Sequence, residues 1–254
     1  MIMIQTTTTI PHTMIPIMTT KYHLLDKKPI KFRHELKYNL NYGESIVLSS
    51  RLSHLFERDP YAGSHGSYRV SSLYFDTPYD KALKEKMDGV RKREKFRLRY
   101  YNEDKSFIRL EKKIKYRGLC GKRHAKLHLS EVKKIVDGDI AFLLKSEDPL
   151  LMEFYSKLKG QLLKPKALVV YDREAFIYRP GNVRVTLDRN LSTSSDPLEF
   201  LDSSLKTRRN MADGMIVLEV KYDEFLPDIV KMAVSEMGRS HTAYSKYAVV
   251  RRYE

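Results

Sequence analysis

The stretch Lys31-Phe32-Arg33-His34-Glu35-Leu36-Lys37-Tyr38 decides the fold, because charged residues at the odd positions alternate with aromatic and apolar ones. The same pattern returns in Phe96-Arg97-Leu98-Arg99-Tyr100, Ile108-Arg109-Leu110-Glu111-Lys112-Lys113, Val183-Arg184-Val185-Thr186-Leu187-Asp188 and Val217-Leu218-Glu219-Val220-Lys221-Tyr222. Successive side chains of a strand point to opposite faces, so each segment presents one apolar face and one charged face. An ordinary sheet would turn the charged face to bulk water. Here the charged faces mix cations with carboxylates, which suits a closed barrel whose lumen takes up a polyanion together with a metal ion.

Working outward, residues 31–40, 68–75, 95–101, 106–116, 122–127, 168–178, 183–191 and 215–222 read as about eight strands, rich in β-branched, aromatic and alternating residues. Helical stripes fall over 43–57, over 130–137 behind Ser130 and Glu131, and from Asp148-Pro149 to about 159. Pro180-Gly181-Asn182 marks a hairpin between two strands. The run Arg91-Lys92-Arg93-Glu94-Lys95 reads as a solvated loop, and Tyr74, Phe75, Tyr171 and Phe176 read as core. One large domain over residues 29–254 follows a Thr- and Met-rich flexible leader at 1–28, which lacks the basic start and continuous apolar core of a signal peptide.

Lys plus Arg number 47 against 32 Asp plus Glu, a formal charge of +15 that calls for an anionic partner. The single Cys120 excludes an intramolecular disulfide, and no apolar run approaches the ~20 residues of a membrane span, so a reducing cytoplasm is the expected home. Gly118-Leu119-Cys120-Gly121-Lys122 is too short for a phosphate-binding P-loop, and no G-x-G-x-x-G opens a helix. His124 and His128 have metal-pair spacing for a helix but enclose no catalytic Glu. Gly63-Ser64-His65-Gly66-Ser67 does not match a nucleophile elbow. No RNP-like aromatic motif or recognition helix supports nucleic-acid binding.

The ordered motifs carry a resemblance. Glu35-Leu36-Lys37-Tyr38, Ser72-Leu73-Tyr74-Phe75-Asp76, Arg97-Leu98-Arg99-Tyr100-Tyr101, Leu110-Glu111-Lys112-Lys113, Tyr171-Asp172-Arg173-Glu174-Ala175-Phe176, Val183 to Asp188, Val217 to Lys221 and Tyr244-Ser245-Lys246-Tyr247 together resemble the VTC-type polyphosphate polymerase domain. That family lies among the CYTH-like triphosphate tunnel metalloenzymes. The resemblance covers roughly residues 30–252 and implies an α+β fold: an eight-stranded antiparallel β tunnel with peripheral helices and a C-terminal helix.

It also implies roles. Lys37, Arg97, Arg99, Lys113, Arg184 and Lys246 match phosphate-contacting cations, Lys122 and Lys126 match a further basic stretch, and Glu219 matches a carboxylate that holds Mn²⁺ or Mg²⁺. Lys246, Lys37 and Glu219 are the expected catalytic residues. Glu35 is open between a metal environment and a salt bridge, and Lys221 reads as a simple ladder pair with Glu219. The expected activity is ATP-dependent synthesis of inorganic polyphosphate, without nucleic acid and without a transmembrane segment; a membrane-protein partner stays open. The alternatives are a triphosphatase of the same fold and a non-enzymatic polyanion-binding module. Related triphosphatases begin with E-x-E-x-K, whereas Arg33-His34-Glu35-Leu36-Lys37 replaces the first acid with Arg33 and so favours a polymerase.

Overall fold

A computed structural model describes residues 29–202, 208–209, 215–235 and 240–251; the leader read over 1–28 lies outside the described residues. In chain order the elements are β1 (His34–Leu40), α1 (Tyr42–Leu55), β2 (Glu57–Arg58), β3 (Ser67–Asp76), α2 (Lys81–Met87), β4 (Lys92–Tyr101), β5 (Asp104–Tyr116) and β6 (Leu119–Leu127). They continue with α3 (Leu129–Asp137), α4 (Pro149–Gly160), β7 (Lys164–Tyr178), β8 (Val183–Ser194), β9 (Arg208–Arg209), β10 (Ile216–Tyr222), α5 (Asp228–Ser235) and α6 (Lys246–Val250).

Eight strands form one antiparallel sheet in the order β1-β10-β8-β7-β3-β4-β5-β6, with the short β2 and β9 paired to β7 and β8. The two ends of this path meet. Arg33, just before β1, exchanges backbone hydrogen bonds of 3.0 and 2.9 Å with Cys120 at the start of β6, so the sheet closes into the expected tunnel. A Cβ on Gly121 would stand 2.5 Å from Ile30 Cγ2, so glycine permits the close approach at this seam. Cys120 is the buried free thiol beside it.

Period-two alternation explains why the sheet closes this way round. The outward positions of β3 to β6, among them Leu73, Phe75, Leu98, Leu110 and Leu127, bury against Val132 and Ile135 of α3 and Phe154 of α4. Phe154 packs between Phe75 and Phe96 at ring-centroid distances of 5.1 and 5.3 Å. The outward residues of β8 and β10, including Val185, Leu187, Leu218 and Val220, bury against Leu48 and Leu52 of α1 and Val230 and Val234 of α5. With both apolar faces covered by helices, the charged positions face the lumen.

Local chemistry sets the helix ends. The Asn41 side chain accepts from the Glu44 amide at 2.8 Å while Glu44 accepts from the Asn41 amide at 2.7 Å, a reciprocal cap for α1. Asp148 caps α4 ahead of Pro149. For α3 the sequence-based start at Ser130 is corrected: the helix opens at Leu129, with Glu131 bonded back to the His128 amide at 2.7 Å. His124 lies on β6 and His128 at this cap, so the two share no helix face. The run 91–95 is also corrected, because β4 begins at Lys92 and carries Lys95 into the lumen.

Candidate functional site

The site is built from the lumen-facing positions. A cavity in the tunnel is lined by Lys37 of β1, Lys95, Arg97 and Arg99 of β4, Lys113 of β5, Arg173 of β7, Glu219 and Lys221 of β10, and Ser245 and Lys246 at the start of α6, with Tyr74 and Tyr171 beside them. It continues to a mouth that shares Lys37, Lys95 and Lys113 and adds Glu35, Lys86, Arg93, Lys115 and residues 242–244. Register places these groups: Lys37 lies opposite Glu219, Glu35 opposite Lys221, and Arg97 opposite Glu111.

Most of the buried cations have a carboxylate or hydroxyl to meet them, as burial of charge requires, while Lys95 stands 5.2 Å from the centroid of the Tyr74 ring. Glu111, fully buried, takes Arg97 Nη2 at 2.6 Å, Arg99 Nη1 at 3.7 Å and Lys122 Nζ at 3.4 Å. Arg97 also donates to Tyr74 Oη at 2.8 Å, and Arg99 donates to Ser72 Oγ at 3.0 Å and Tyr171 Oη at 3.1 Å. Glu35 receives Lys113 at 2.6 Å and Lys37 at 3.3 Å. Glu219 receives Lys221 at 2.8 Å and Arg173 at 3.9 Å. Asp188 bridges Arg173 at 2.7 Å and Lys246 at 2.5 Å, and the Lys246 ammonium stands 4.7 Å from the Tyr171 ring centroid.

These neighbours set the charge states. Burial alone would raise the Glu219 carboxyl, but Lys221, Lys37 and Lys113 hold it well below the usual carboxylate range. Burial and Glu219 push Glu35 up, and Lys113, Lys37 and Lys221 overcome both to bring it to about 2. Burial lowers Lys221 to about 8 despite Glu219. Burial also lowers Lys95, Tyr74 partly opposes it, and Lys113, Lys37 and Arg97 add to the fall, to about 7. Tyr74 would rise on burial, yet Arg97, Lys95 and Arg99 bring its phenol down to about 7.

Six sequence-predicted residues, Lys37, Arg97, Arg99, Lys113, Glu219 and Lys246, converge on this one cavity. Two do not line it. Lys122 stands behind Glu111 with its side chain half exposed, and Arg184 is engaged by Asp59 and by Tyr68 Oη at 2.6 Å. Glu35 sits in a salt-bridge network with Lys113, Lys37 and Lys221, beside Glu219. Lys221 forms the pair with Glu219 read from the sequence, at 2.8 Å, and the pair lines the cavity. Lys95, Arg173 and Asp188 were not singled out from the sequence, although the alternation of their strands carried the signal. Arg33 does not deliver its charge to the cavity: its guanidinium binds Asp223 at 2.7 Å and the Asn182 carbonyl.

The carboxylates suit a hard divalent cation. Glu219 and Glu35 are both ionised oxygen donors at neutral pH and face the same network, and hard cations prefer oxygen ligands. Among the described residues no group of three or more His, Cys, Asp or Glu gathers as a self-sufficient cage. A bound phosphate would therefore complete the coordination of a metal held by Glu219.

An antiparallel tunnel lined by eight basic side chains offers a surface suited to an anion. The chain belongs to the VTC domain family, whose model matches residues 32–252. No curated protein matches it. Among solved structures it is similar to the PH1819 protein of Pyrococcus horikoshii OT3, with 13% identity and a TM-score of 0.43 over 87% of this chain and 100% of that one. It is also similar to bh2851 of Bacillus halodurans, named as a candidate adenylate cyclase, with 13% identity and a TM-score of 0.48 over 89% and 100% of the two chains. A conserved Pyrococcus furiosus protein follows at 11% identity and a TM-score of 0.45 over 84% and 96%. Among the described residues no helix is long and apolar enough to cross a membrane.

Proposed function

We propose that this chain is an ATP-dependent polyphosphate polymerase that transfers the γ-phosphate of ATP to the end of a growing inorganic polyphosphate chain. The observation that carries the reading is the cavity itself, where eight basic side chains meet only four carboxylates, Glu35, Glu111, Asp188 and Glu219. Such an excess is costly to assemble without an anion, because like charges raise one another's energy in a poorly solvated space.

Phosphoryl transfer asks for alignment and charge neutralisation more than for a protein nucleophile. The terminal oxygen of the acceptor attacks the γ-phosphorus, the bond to the β-phosphate oxygen breaks, and ADP leaves. Arg97 and Arg99 offer planar guanidinium groups to neighbouring phosphates, with Tyr74, Ser72 and Tyr171 fixing their orientation. Lys37 and Lys113 neutralise the chain toward the mouth. Lys246, held by Asp188 and stacked over Tyr171, supplies a fixed positive charge where the transferring group passes. Mn²⁺ or Mg²⁺ on Glu219 would add Lewis-acid neutralisation of the donor phosphates.

The test is incubation with ATP and Mn²⁺, followed by gel separation of the products. A ladder of polyphosphate supports the assignment. Release of orthophosphate without polymer would make the chain a triphosphatase, and tight polyphosphate binding without turnover of ATP would make it a binding module.

A further inference from the structure

The inward positions of β8 are Arg184, Thr186 and Asp188, since Val185 and Leu187 between them bury in the outer apolar cluster. Arg184 is engaged by Asp59 and Tyr68, and Asp188 by Arg173 and Lys246. Thr186, between the two, is 3% exposed, and its Oγ1 is buried without a hydrogen-bond partner among the described residues.

Register says where that hydroxyl stands. Thr186 lies directly opposite Glu219 of β10 on one side and opposite Ala175 of β7 on the other. The Ala175 side chain has no polar atom to offer it. Directly opposed residues of an antiparallel pair hold their Cβ atoms about 4.5–5.5 Å apart, so the hydroxyl and the carboxylate are near neighbours. Yet no hydrogen bond joins them, and Glu219 meets Lys221 at 2.8 Å instead.

A buried hydroxyl with no partner costs free energy, and a strand has a ready substitute for it. Valine has the same branched shape, a similar preference for strands and no polar atom, and it stands at the outward positions 183 and 185 of this very strand. Packing therefore does not account for the oxygen. A threonine hydroxyl is a hard, neutral donor of the kind that divalent cations accept beside a carboxylate, and P-loop proteins hold Mg²⁺ against phosphates with a Ser or Thr in this way.

We infer that Thr186 joins Glu219 in holding the divalent cation, its hydroxyl oxygen meeting the ion or one of the waters that the ion keeps. The inference rests on the metal role given to Glu219 above and deepens it: a lone carboxylate becomes a seat of two oxygen donors, one charged and one neutral. The neutral donor adds grip on the ion without adding negative charge, so the excess of basic side chains around the phosphates is kept.

Binding without turnover tests the seat. A methylene-bridged triphosphate that resists hydrolysis is titrated calorimetrically against the full chain, once with Mn²⁺ and once with a chelator. The ratio of the two affinities is the enhancement due to the metal. The parent is compared with Thr186→Val, Thr186→Ser and Glu219→Gln. The enhancement is expected to fall about tenfold, or to vanish, in Thr186→Val and to persist in Thr186→Ser, with affinity in chelator within about twofold of the parent for both. Ligand-free Thr186→Val should melt no lower than the parent, because an unpartnered hydroxyl is removed; a lower melting temperature would show that the fold already satisfies the hydroxyl and would overturn the inference. An enhancement kept in Thr186→Val and lost in Glu219→Gln would also overturn it, while leaving Glu219 as the metal ligand. No enhancement in the parent, or one kept in Glu219→Gln, would overturn both. Equal losses with and without Mn²⁺ would make the hydroxyl a phosphate contact and sink the metal role. Absence of polymer from ATP would remove the polymerase reading and leave this test intact.

Discussion

The two faces of the same sheet are buried by opposite means. On the outer face, Leu110 is fully buried in the apolar cluster that includes Val132 and Ile135 of α3 and Phe154 of α4. One residue further along β5, Glu111 is equally buried and touches three cations. Burial of Leu110 is favourable in itself, whereas burial of Glu111 is tolerable only while its partners remain. The outer face thus provides stability, and the inner face draws on it to hold a charge pattern ready for an anion.

Glu111→Ala breaks this contrast most severely, since it leaves Arg97 and Arg99 buried without their shared counter-ion. A loss of about 3–5 kcal/mol is expected from chemical denaturation. Leu110→Ala is expected to cost a comparable ~2–5 kcal/mol by leaving a cavity. The two diverge when inorganic triphosphate is added: it should recover stability in Glu111→Ala by replacing the missing negative charge and bring no extra recovery to Leu110→Ala. Equal recovery in both would mean that the inner face is not an anion site.

Next in size is Lys246→Met, which keeps the length of the side chain and removes its charge. Turnover should fall by about 10²-fold or more while ATP affinity stays nearly constant. Wild-type polymer synthesis would remove Lys246 from the chemistry. Glu219→Gln is expected to abolish metal-dependent turnover, checked by the response of initial rates to Mn²⁺ concentration.

Single Ala replacements of Arg97 and Arg99 should each weaken ATP binding by ~1.5–3 kcal/mol, the worth of a charge-assisted hydrogen bond. Calorimetric titration checks this, and unchanged affinity would reduce both to structural partners of Glu111. Arg184, tied to Asp59 and Tyr68, should show a smaller effect than either.

Lys95 and Tyr74 sharpen the comparison through pH. Both titrate near 7, and both make the cavity less positive as pH rises, Lys95 by shedding its ammonium proton and Tyr74 by gaining the negative charge of a phenolate. Triphosphate affinity should therefore fall as pH rises through about 7, by up to about tenfold per pH unit for each linked proton. Lys95→Met with Tyr74→Phe should flatten the profile. Stability moves the other way for the lysine: its folded value lies below its ordinary 10.5, so its contribution grows as pH rises from about 7 toward 10.5.

The smallest effect belongs to the outer surface. Lys231 and Asp228 form an exposed pair at 2.8 Å in the first turns of α5, and Lys231→Ala should change stability by less than about 0.5 kcal/mol. A larger loss would mean that charge outside the tunnel also contributes to the fold.

The strands were legible because their two faces carry different chemistry, and β3, β5, β7, β8 and β10 begin and end close to where alternation places them. Where both faces are charged, the signal disappears. Glu94, near the start of β4, pairs with Lys112 and Lys157 on the outer side instead of with apolar neighbours, so the run around Arg93 reads as solvated although it is strand. Lys221 was lost for a related reason, since adjacent strand residues cannot reveal whether their face is enclosed. Six of the residues that line the cavity could be singled out because the family motifs follow in order, but the partners of Arg184 and Lys246 could not be read locally: Asp59 comes from a loop 125 residues away, and Asp188 lies on a different element.

Docking of α6 carries one more consequence, for the order in which the molecule is made. Tyr247 donates to Asp76 at 2.7 Å and stacks 5.2 Å from Tyr74, while the same Asp76 carboxylate accepts from the amides of Ala82 and Leu83 at the start of α2. The end of β3 thus ties together an early helix and a late one. During synthesis from the N-terminus, every strand of the tunnel is made before residues 244–247. A chain halted after β10 would carry every strand of the sheet but not the ammonium that Asp188 holds, so the lining of the cavity is completed by residues made after its wall.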